Sequence, residues 1–383
     1  MAEPAPARPG LMARLSGTRW WPDVRAALPA WTAARLVVAL SLVFAHLIFD
    51  NVDPQSALAA RRLHHGLLAW DGEWYEAIAQ DGYTGIRRLR FFPLFPLLAR
   101  PLRFVVGSHP AALVMIANVA ALALGALLHR LALRETSDER LARRAAWLVA
   151  FTPPAFTLVW GYAEALAGML AVAFFLAVRG GRWWAACVAG VLAGLTRPLG
   201  LLLVIPAVVE GGRHLRETSA RDQLARVAGI VSPAVGAGVY LTWVGFKFGT
   251  PLKPLTIQQR EEARGELAEP FGVLWRAVRQ LASGDVTGNA IHVPAALVVI
   301  ALVALTFRYW PASYGAVAAA TLAVALSTTR LGSFERYTFG AFPVVLTLAI
   351  LTSNEQVERA VLLVGGTAMA AFGTLALLGG YVP

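Results

Sequence analysis

Long apolar runs recur along this 383-residue chain from about residue 31 to about residue 380, and most of the polar stretches between them are short. An apolar run of about 20 residues is long enough to cross a bilayer as a helix. Hydrophobic residues make up 57% of the sequence and charged residues only 15%, whereas a soluble domain has about a quarter charged residues. The pattern therefore predicts an all-α, polytopic membrane bundle that forms a single domain over residues 31–383.

The apolar runs, bounded by charged residues, indicate ten or eleven spans. They lie near residues 31–49, 111–129, 145–159, 164–178, 183–196, 199–209, 227–246, 289–306, 313–327, 340–352 and 361–380. Several are shorter than a straight spanning helix requires, and these carry Pro153, Pro154, Pro198 and Pro206. Because proline cannot continue the hydrogen bonding of a helix, these runs predict broken or tilted helices inside the bundle. Two longer polar stretches, residues 50–110 and 247–288, predict loops outside the membrane.

The chain is basic, with a formal net charge of +11, and its basic residues are almost all arginine. In a membrane protein such a balance serves orientation and contact with phosphate-bearing lipids, so we expect membrane lipids and no nucleic acid as partners. Residues 1–30 combine arginine with tryptophan and are predicted to form a cytoplasmic N-terminal segment. Cys187 is the only cysteine, which excludes an internal disulfide and a cysteine-based metal cluster.

The distribution of arginine over the short loops predicts which side of the membrane each loop occupies. With a cytoplasmic N-terminus, the inner loops carry Arg130, Arg134, Arg140, Arg143, Arg144, Arg179, Arg182, Arg213, Arg216, Arg221 and Arg226, and the short outer loops carry Arg197, Arg330 and Arg336. Short loops rich in arginine are retained in the cytoplasm. This asymmetry places the stretch Leu67–Tyr83 on the outer side.

The stretch LLAWDGEWYEAIAQDGY (Leu67–Tyr83) places four carboxylates, two tryptophans and two tyrosines in an otherwise apolar chain. Its spacing predicts a short amphipathic helix at the membrane surface, because tryptophan and tyrosine favour the headgroup region. In helical register one face holds Trp70, Trp74, Ala77, Ile78 and Asp81, and another holds Glu73, Glu76 and Gln80. Asp71 would then be held at a fixed depth near the membrane, where it could act in chemistry, cap the helix, or do both.

Three charged residues at the ends of spans are further candidates, each with an alternative role. Glu164 begins a span, where it can serve a site or favour the helix dipole. Arg197 lies between two short apolar runs and can bind a ligand or extend towards the membrane surface. Arg336 lies in a late outer loop, where it can bind phosphate through two parallel hydrogen bonds or pair with Glu335.

The string WDGEWYEAIAQDGY (Trp70–Tyr83), followed by FFPLFPLL (Phe91–Leu98), resembles the first outer loop of bacterial membrane mannosyltransferases similar to PIG-V, in the GT-C superfamily of glycosyltransferases. The resemblance continues in Phe151–Leu166, Arg182–Glu210 and Arg336–Ala349. It therefore touches most of the chain, but residues 247–288 match no part of the family pattern.

The resemblance implies a GT-C type fold and an enzyme of the bacterial cytoplasmic membrane whose active site faces outwards. Such an enzyme moves a sugar, with mannose the expected one, from a polyprenyl-phosphate donor to a lipid, glycan or protein acceptor, with inversion at the anomeric carbon. Asp71 occupies the position of the family's base. The chemistry agrees, because a sugar hydroxyl is a poor nucleophile until a positioned carboxylate accepts its proton. The leaving lipid phosphate requires cations rather than a proton donor.

These expectations define a set of candidate site residues. Asp71 is the catalytic candidate, and the substrate-binding candidates are Trp70, Trp74, Tyr75, Asp81, Tyr83, Glu164, Arg197 and Arg336. We assign no metal ligands and expect no required cofactor; a divalent cation is compatible with the site but not indicated. The sequence shows no glycine-rich phosphate loop, which favours a lipid-linked donor over a nucleotide sugar.

A transporter or flippase of lipid-linked sugars is the alternative function. It would also need a helical bundle, broken helices and arginines that bind phosphate. A flippase is expected to contain paired inverted repeats, and the sequence shows none. It also has no need of the Trp-Asp helix at the membrane surface. A structural membrane scaffold is the third and least specific alternative.

Overall fold

The computed structural model describes residues 20–212, 219–259 and 264–381. These residues form helices joined by loops, with one isolated antiparallel bridge between Leu267 and Thr328. Five of the helices are long and apolar enough to cross a membrane. The prediction of an all-α polytopic membrane bundle is confirmed. Residues 1–19 of the predicted N-terminal segment, and the predicted inner-loop residues Arg213 and Arg216, lie outside the described residues.

Seventeen α-helices occur in the described residues. They are α1 (Trp21–Val52), α2 (Ala57–His65), α3 (Asp71–Asp81), α4 (Leu94–Val106), α5 (His109–Thr136), α6 (Glu139–Ala150), α7 (Glu164–Arg179), α8 (Trp183–Thr196), α9 (Val204–Gly211), α10 (Ala220–Phe248), α11 (Lys253–Gln258), α12 (Pro270–Ala282), α13 (Val293–Tyr309), α14 (Ala312–Leu326), α15 (Phe334–Phe339), α16 (Phe342–Leu351) and α17 (Glu355–Leu378). Short 3₁₀ segments lie at Gly66–Leu68, Ile86–Arg90, Pro153–Leu158, Pro198–Leu203 and Gly288–His292.

Hydrogen bonds between distant parts of the chain define the two ends of the bundle. At the basal end, Arg144 donates to the Thr352 carbonyl (3.2 Å), and an Asp23 oxygen lies 2.8 Å from His129 Nδ1. At the apical end, the Trp70 indole donates to the Ala376 carbonyl (2.8 Å). In the described residues, the helices long and apolar enough to cross a membrane are α1, α5, α10, α17 and α13 together with the 3₁₀ segment before it. Shorter apolar helices are α8, the 3₁₀ segment with α9, α14 and α16. The ten or eleven spans expected from the sequence stay a prediction.

The first helix begins at Trp21, ten residues before the predicted span. Pro22 lies in its first turn. Backbone N–H groups there have no acceptor within the helix, so the N–H group that proline lacks is not needed. The buried carboxylate of Asp23 accepts a hydrogen bond from Arg130 Nε (2.8 Å), which fixes this turn to α5. Residues 21–30 therefore continue the first long helix rather than forming a segment of their own.

Prolines interrupt the bundle where the sequence predicted broken helices. α6 ends at Ala150 shortly before Pro153 and Pro154, and the chain continues as a 3₁₀ segment. α8 likewise ends at Thr196, just before Pro198. Each break occurs because proline lacks the N–H group that the next helical turn requires. The break after α8 leaves Arg197 in an extended conformation at the apical end.

α8 and α10 pack unusually closely through glycine. A Cβ atom at Gly194 would lie 2.2 Å from the Pro233 carbonyl oxygen, and one at Gly236 would lie 2.1 Å from the Val191 carbonyl oxygen. Small residues allow such close approach of helix backbones in membranes, where van der Waals packing drives association. This contact fixes the position of Arg197 beyond the end of α8.

The described residues of the second long polar stretch, 247–259 and 264–288, lie at the apical end of the bundle. α11 and α12 lie in this stretch, and Ala268 N donates to the Ser327 carbonyl (3.1 Å) while Thr329 N donates to the Glu266 carbonyl (3.0 Å). The paired segments, residues 264–268 and 327–330, run beside α15. The stretch therefore lies next to Arg336, which α15 carries.

Candidate active site

The backbone turns sharply immediately before Asp71. Trp70 has a φ of 63° and a ψ of −112°, a conformation that costs a non-glycine residue about 1–3 kcal/mol. Its neighbours hold it there: the indole N–H bonds to Ala376, the backbone N–H donates to Glu73 Oε1 (3.3 Å), and the Arg62 guanidinium lies 3.9 Å from the ring centroid. The turn presents Asp71 as the first residue of α3.

α3 buries only part of the predicted face. Its buried residues are Gly72, Tyr75, Ile78 and Ala79, of which Ile78 alone belongs to the predicted face of Trp70, Trp74, Ala77, Ile78 and Asp81. The reason is that the helix packs against neighbouring protein: the Tyr75 ring meets the rings of Phe91 and Phe95 edge to face, with centroids 5.0 Å away in each case. α3 is thus part of the core, and Asp71 projects from its first turn.

Asp71 pairs with Arg336, which lies 265 residues further along the chain. Arg336 Nη1 donates to Asp71 Oδ2 (2.7 Å), and Arg336 Nε lies 3.3 Å from Glu164 Oε1. Glu164 in turn forms an ion pair with Arg197. We call Asp71, Glu164, Arg197 and Arg336 the ionic cluster. It gathers residues from α3, α7, the end of α8 and α15. The structure contains neither the N-cap bond proposed for Asp71 nor the pairing of Arg336 with Glu335.

Two tyrosines support the ionic cluster. The buried Tyr162 hydroxyl accepts a hydrogen bond from the Asp71 backbone N–H (3.2 Å) and donates to the Ala69 carbonyl (2.9 Å), which fixes both ends of the Trp70 turn. The Tyr337 ring lies near three guanidinium groups, at 5.2 Å from Arg197, 4.7 Å from Arg264 and 5.6 Å from Arg336. The negative face of the ring offsets part of the repulsion among these cations.

The ionic cluster borders two cavities. The polar cavity has about 1110 Å³ of empty space, part of it open to solvent, and its charged lining consists of Asp71 with Arg90, Arg197, Arg264 and Arg336. Trp70 and Tyr75 also line it. Four guanidinium groups face one carboxylate, so the polar cavity is suited to an anionic ligand.

The second cavity, the apolar chamber, has about 1030 Å³ of empty space and extends into the bundle. Its walls include Leu203, Val317 and Phe342, and Glu164, Arg197 and Arg336 lie at its edge. Arg197 and Arg336 line both cavities. The two spaces therefore meet at the arginines, which is the arrangement expected for a ligand with an anionic head and an apolar tail.

Residues 31–208 match a protein family described as Mannosyltransferase (PIG-V). This confirms the resemblance inferred from the motifs, most of which lie in the matched region. Asp71, Glu164 and Arg197 also lie in it, whereas Arg336 lies beyond it.

Three curated relatives are mannosyltransferases by name. The chain is 34% identical to the GPI alpha-1,6-mannosyltransferase 2 of Rattus norvegicus over 149 residues, which is 36% of this chain and 30% of that protein. It is 34% identical over 147 residues to the protein of the same name from Mus musculus, with the same coverage. The Homo sapiens protein is 32% identical over 149 residues, again 36% of this chain and 30% of the relative. The matched segment thus spans about 30% of the length of these relatives.

Three of the predicted substrate-binding residues lie away from the polar cavity. Trp74 stacks on Phe91, with ring centroids 6.1 Å apart. Asp81, at the far end of α3, pairs with Arg88 (3.3 Å). The Tyr83 hydroxyl donates to the Phe91 carbonyl (2.7 Å), and its ring lines a separate groove. These residues of the PIG-V motif hold the loop in shape, and the other candidates border the polar cavity or the apolar chamber.

Sequence reasoning did not select Arg90, Arg264 and Tyr162 as site residues, although all three border the site. Arg90 directly precedes the FFPLFPLL string, and Tyr162 is two residues before Glu164, so their places beside PIG-V motifs could have indicated them. Arg264 had no such signal, because the second long loop resembles nothing in the family. Among the described residues, no group of three or more His, Cys, Asp or Glu side chains could hold a metal ion.

The charges around Asp71 determine its protonation. Burial alone would raise the pKa of the Asp71 carboxyl, but the positive charges of Arg336 and Arg90, with the hydrogen bond from Arg336, outweigh it and lower the pKa below its ordinary value. Asp71 is therefore ionised at neutral pH and can accept a proton. Removing one cation should raise the pKa of Asp71, so that its carboxylate becomes protonated at a higher pH.

Replacing Arg90 with glutamine is expected to shift the acid limb of the kcat/KM profile to higher pH, because the Asp71 pKa rises when a neighbouring positive charge is removed. The measurement is sugar transfer between about pH 4 and pH 8 for the two proteins. Arg103→Gln, an exposed change on α4 away from the cavities, serves as the control and should leave the limb in place. An acid limb that moves to lower pH in Arg90→Gln would exclude Asp71 as the titrating group.

Proposed function

We propose that this chain is a membrane mannosyltransferase that moves mannose from a polyprenyl-phosphate donor to a hydroxyl group of a lipid, glycan or protein acceptor. The observation that carries the proposal is the 2.7 Å pair of Asp71 and Arg336 at the junction of a polar cavity and an apolar chamber. The family match over residues 31–208 supports the mannosyl transfer. The donor, the acceptor and the inverting mechanism are what the family resemblance implies, and the geometry of the site supports a lipid-linked anionic donor.

The shape of the site supports a lipid-linked donor. Phosphate would bind at Arg197 and Arg336, the arginines common to both cavities, and the first part of the apolar tail would enter the apolar chamber. The sugar would lie in the polar cavity beside Asp71. This places the bond to be broken, between the anomeric carbon and the phosphate oxygen, beside the Asp71–Arg336 pair.

In the proposed reaction the acceptor oxygen attacks the anomeric carbon from the face opposite to the phosphate, which inverts that carbon. The new carbon–oxygen bond forms as the bond to phosphate breaks. The acceptor proton passes to Asp71. Such proton transfer to a positioned base increases the rate by about 10²–10⁴-fold. The electron pair leaves with the lipid phosphate, whose increased charge is stabilised by Arg336 and Arg197.

When the donor binds, Arg336 would be shared between Asp71 and the donor phosphate. In the structure Arg336 holds Asp71 and lowers its pKa. A donor phosphate offers Arg336 a second anion, and sharing the guanidinium weakens its hold on the carboxylate. The pKa of Asp71 then rises towards its ordinary value, so the carboxylate becomes a stronger base once the donor is in place.

Incubation of the purified protein with radiolabelled polyprenyl-phosphate-mannose and a membrane lipid or protein extract tests the function. We expect a new labelled product in the extract and none with Asp71→Asn. If reconstituted vesicles instead move intact labelled donor across the bilayer without forming a product, the chain is a flippase of lipid-linked sugars. No labelled product with any extract would contradict the transferase.

We further propose that Asp71 faces the outer side of the membrane and that the basal end faces the cytoplasm. The arginines of the predicted inner loops that fall in the described residues, among them Arg134 and Arg179, lie at the basal end. Basic residues are retained on the cytoplasmic side. With Cys187→Ala as background, Gly85→Cys should react with a membrane-impermeant thiol reagent on intact cells, and Ser219→Cys should react only after lysis.

These two positions suit the labelling experiment. Gly85 is extended (φ −143°), and a Cβ atom there would meet no heavy atom within 4 Å, so cysteine should be tolerated. Ser219 is the exposed N-cap of α10 at the basal end. Labelling of Ser219→Cys but not Gly85→Cys on intact cells would reverse the proposed orientation and place Asp71 on the cytoplasmic side.

A further inference from the structure

The residue before Arg336 is a carboxylate that takes no part in the ionic cluster. Glu335 is 3% exposed, and its oxygens lie 2.8 and 2.9 Å from His292 Nδ1. The buried Tyr381 hydroxyl donates to Glu335 Oε2 (3.2 Å). Successive helical residues point about 100° apart, so Glu335 faces away from the cavities while Arg336 faces Asp71. The two neighbours thus anchor different sides of α15.

Ala376, five residues before Tyr381, contacts the turn that carries Asp71. The Ala376 carbonyl, in the last turn of α17, accepts the hydrogen bond from the Trp70 indole (2.8 Å). Trp70 directly precedes Asp71 and has the positive φ described above. A residue in that conformation persists only where its surroundings hold it. The bond to Ala376 is one of the contacts that do so.

We infer that residues 376–381 form a positioning clamp that sets the relative placement of Asp71 and Arg336. One arm runs from Ala376 to Trp70 and so to Asp71, and the other runs from Tyr381 to Glu335 and so to Arg336. The catalytic importance of the clamp rests on the proposed transfer reaction, but its effect on α15 does not. All of its anchoring residues except Trp70 lie outside the family-matched region 31–208.

α15 needs such support because it is too short to be stable as an isolated helix. It has only six residues, and isolated helices shorter than about 12 residues are marginal in water. It begins after Ser333, whose φ is +64°. Phe334 packs in the apolar core, and the polar fixed point of the helix on that side is the buried Glu335, satisfied by His292 and Tyr381. Tyr381, Glu335 and His292 are therefore positioning residues, since the catalytic geometry depends on them only through Arg336.

Tyr381→Phe tests the second arm with little change in packing, because phenylalanine keeps the ring that stacks on Phe372 at 4.7 Å. We expect turnover to fall about tenfold, less than the ~10²-fold cost of misplacing reacting groups by about 1 Å. Thermal stability should change little, and KM for the donor should change less than kcat. Tyr309→Phe is the matched control, an exposed tyrosine at the end of α13. Its turnover should equal that of the wild type.

A double-mutant cycle distinguishes positioning from a separate structural effect. If Tyr381 acts through Arg336, Tyr381→Phe should lower turnover much less in an Arg336→Lys background than in the wild type. Glu335→Gln, which keeps the size of the side chain, should behave in the same way. Equal fold losses in both backgrounds would overturn the clamp.

A second measurement does not require activity. Hydrogen exchange in peptides covering residues 334–339 should be faster in Tyr381→Phe than in the wild type and in Tyr309→Phe. If the wild type transfers no sugar from the lipid donor but this difference is present, the proposed function fails and the clamp stands. Unchanged exchange together with additive kinetic effects would overturn the clamp and leave the proposed function untouched.

Discussion

Asp71→Asn is expected to lower sugar transfer by at least about 10²-fold while the protein still folds and binds the donor. Asparagine keeps the size of the side chain and an oxygen that can accept a hydrogen bond from Arg336, but it cannot take a proton from the acceptor hydroxyl. Donor affinity should stay equal or increase, because the polar cavity loses the carboxylate that competes with the donor phosphate for Arg336. The measurements are single-turnover transfer and binding of radiolabelled polyprenyl-phosphate-mannose.

Asp81→Asn is the matched control, because Asp81 lies on the same helix but pairs with Arg88 outside the polar cavity. Its transfer rate should remain within about twofold of the wild type, as expected for the loss of an exposed ion pair. Near-normal turnover in purified Asp71→Asn would remove Asp71 from the mechanism. An equal loss in both variants would show that the acids of α3 act on its stability rather than on chemistry.

Replacing Arg336 is expected to reduce turnover in two steps, by at least about tenfold for lysine and by about 10²–10³ for alanine, the range seen when a charge-stabilising donor is removed. Lysine keeps the charge but cannot reproduce the planar fork that reaches Asp71 and a phosphate together. Donor affinity should weaken less than turnover, because the guanidinium is needed most as the departing phosphate gains charge. Single-turnover rates and equilibrium donor binding separate the two quantities.

The alanine variant also carries a stability risk, because it leaves Asp71 and Glu164 with one cation fewer. Its thermal unfolding midpoint must therefore be compared with that of Arg336→Lys. Arg359→Lys is the control, an exposed arginine paired with Glu355 at the start of α17. Transfer at the wild-type rate by both Arg336 variants would make this arginine structural.

The sequence predicted those parts of the site that depend on local pattern. Asp71, in a Trp-Asp-Gly string at the start of a helix, could be selected from the motif alone. Arg336 was also a candidate, but its pairing with Asp71 could not be predicted, because the two residues are 265 positions apart and their contact depends on how α15 packs. The buried face of α3 was predicted only in part, for a related reason. Helical spacing assigns residues to faces, but only the neighbouring Phe91 and Phe95 determine which face is buried.

The contrast between local pattern and contacts of distant residues also holds for the bundle. Proline positions predicted the breaks after α6 and α8, because a missing N–H group acts locally. Trp74, Asp81 and Tyr83 share the motif with Asp71 but hold the loop rather than line the polar cavity, since residues of one motif can serve shape as well as chemistry. Arg264 was missed because its role depends on the pairing of residues 264–268 with residues 327–330.

The close contact of α8 and α10 limits the route by which a lipid can reach the apolar chamber. Gly194 and Gly236 leave no room for even a methyl group between the two helices, so a prenyl chain cannot slide through this side of the bundle. Parting them would lose packing that the membrane does not replace. Lateral entry must therefore open elsewhere in the wall. Gly194→Ala should therefore displace Arg197, which directly follows α8, rather than change the entry route.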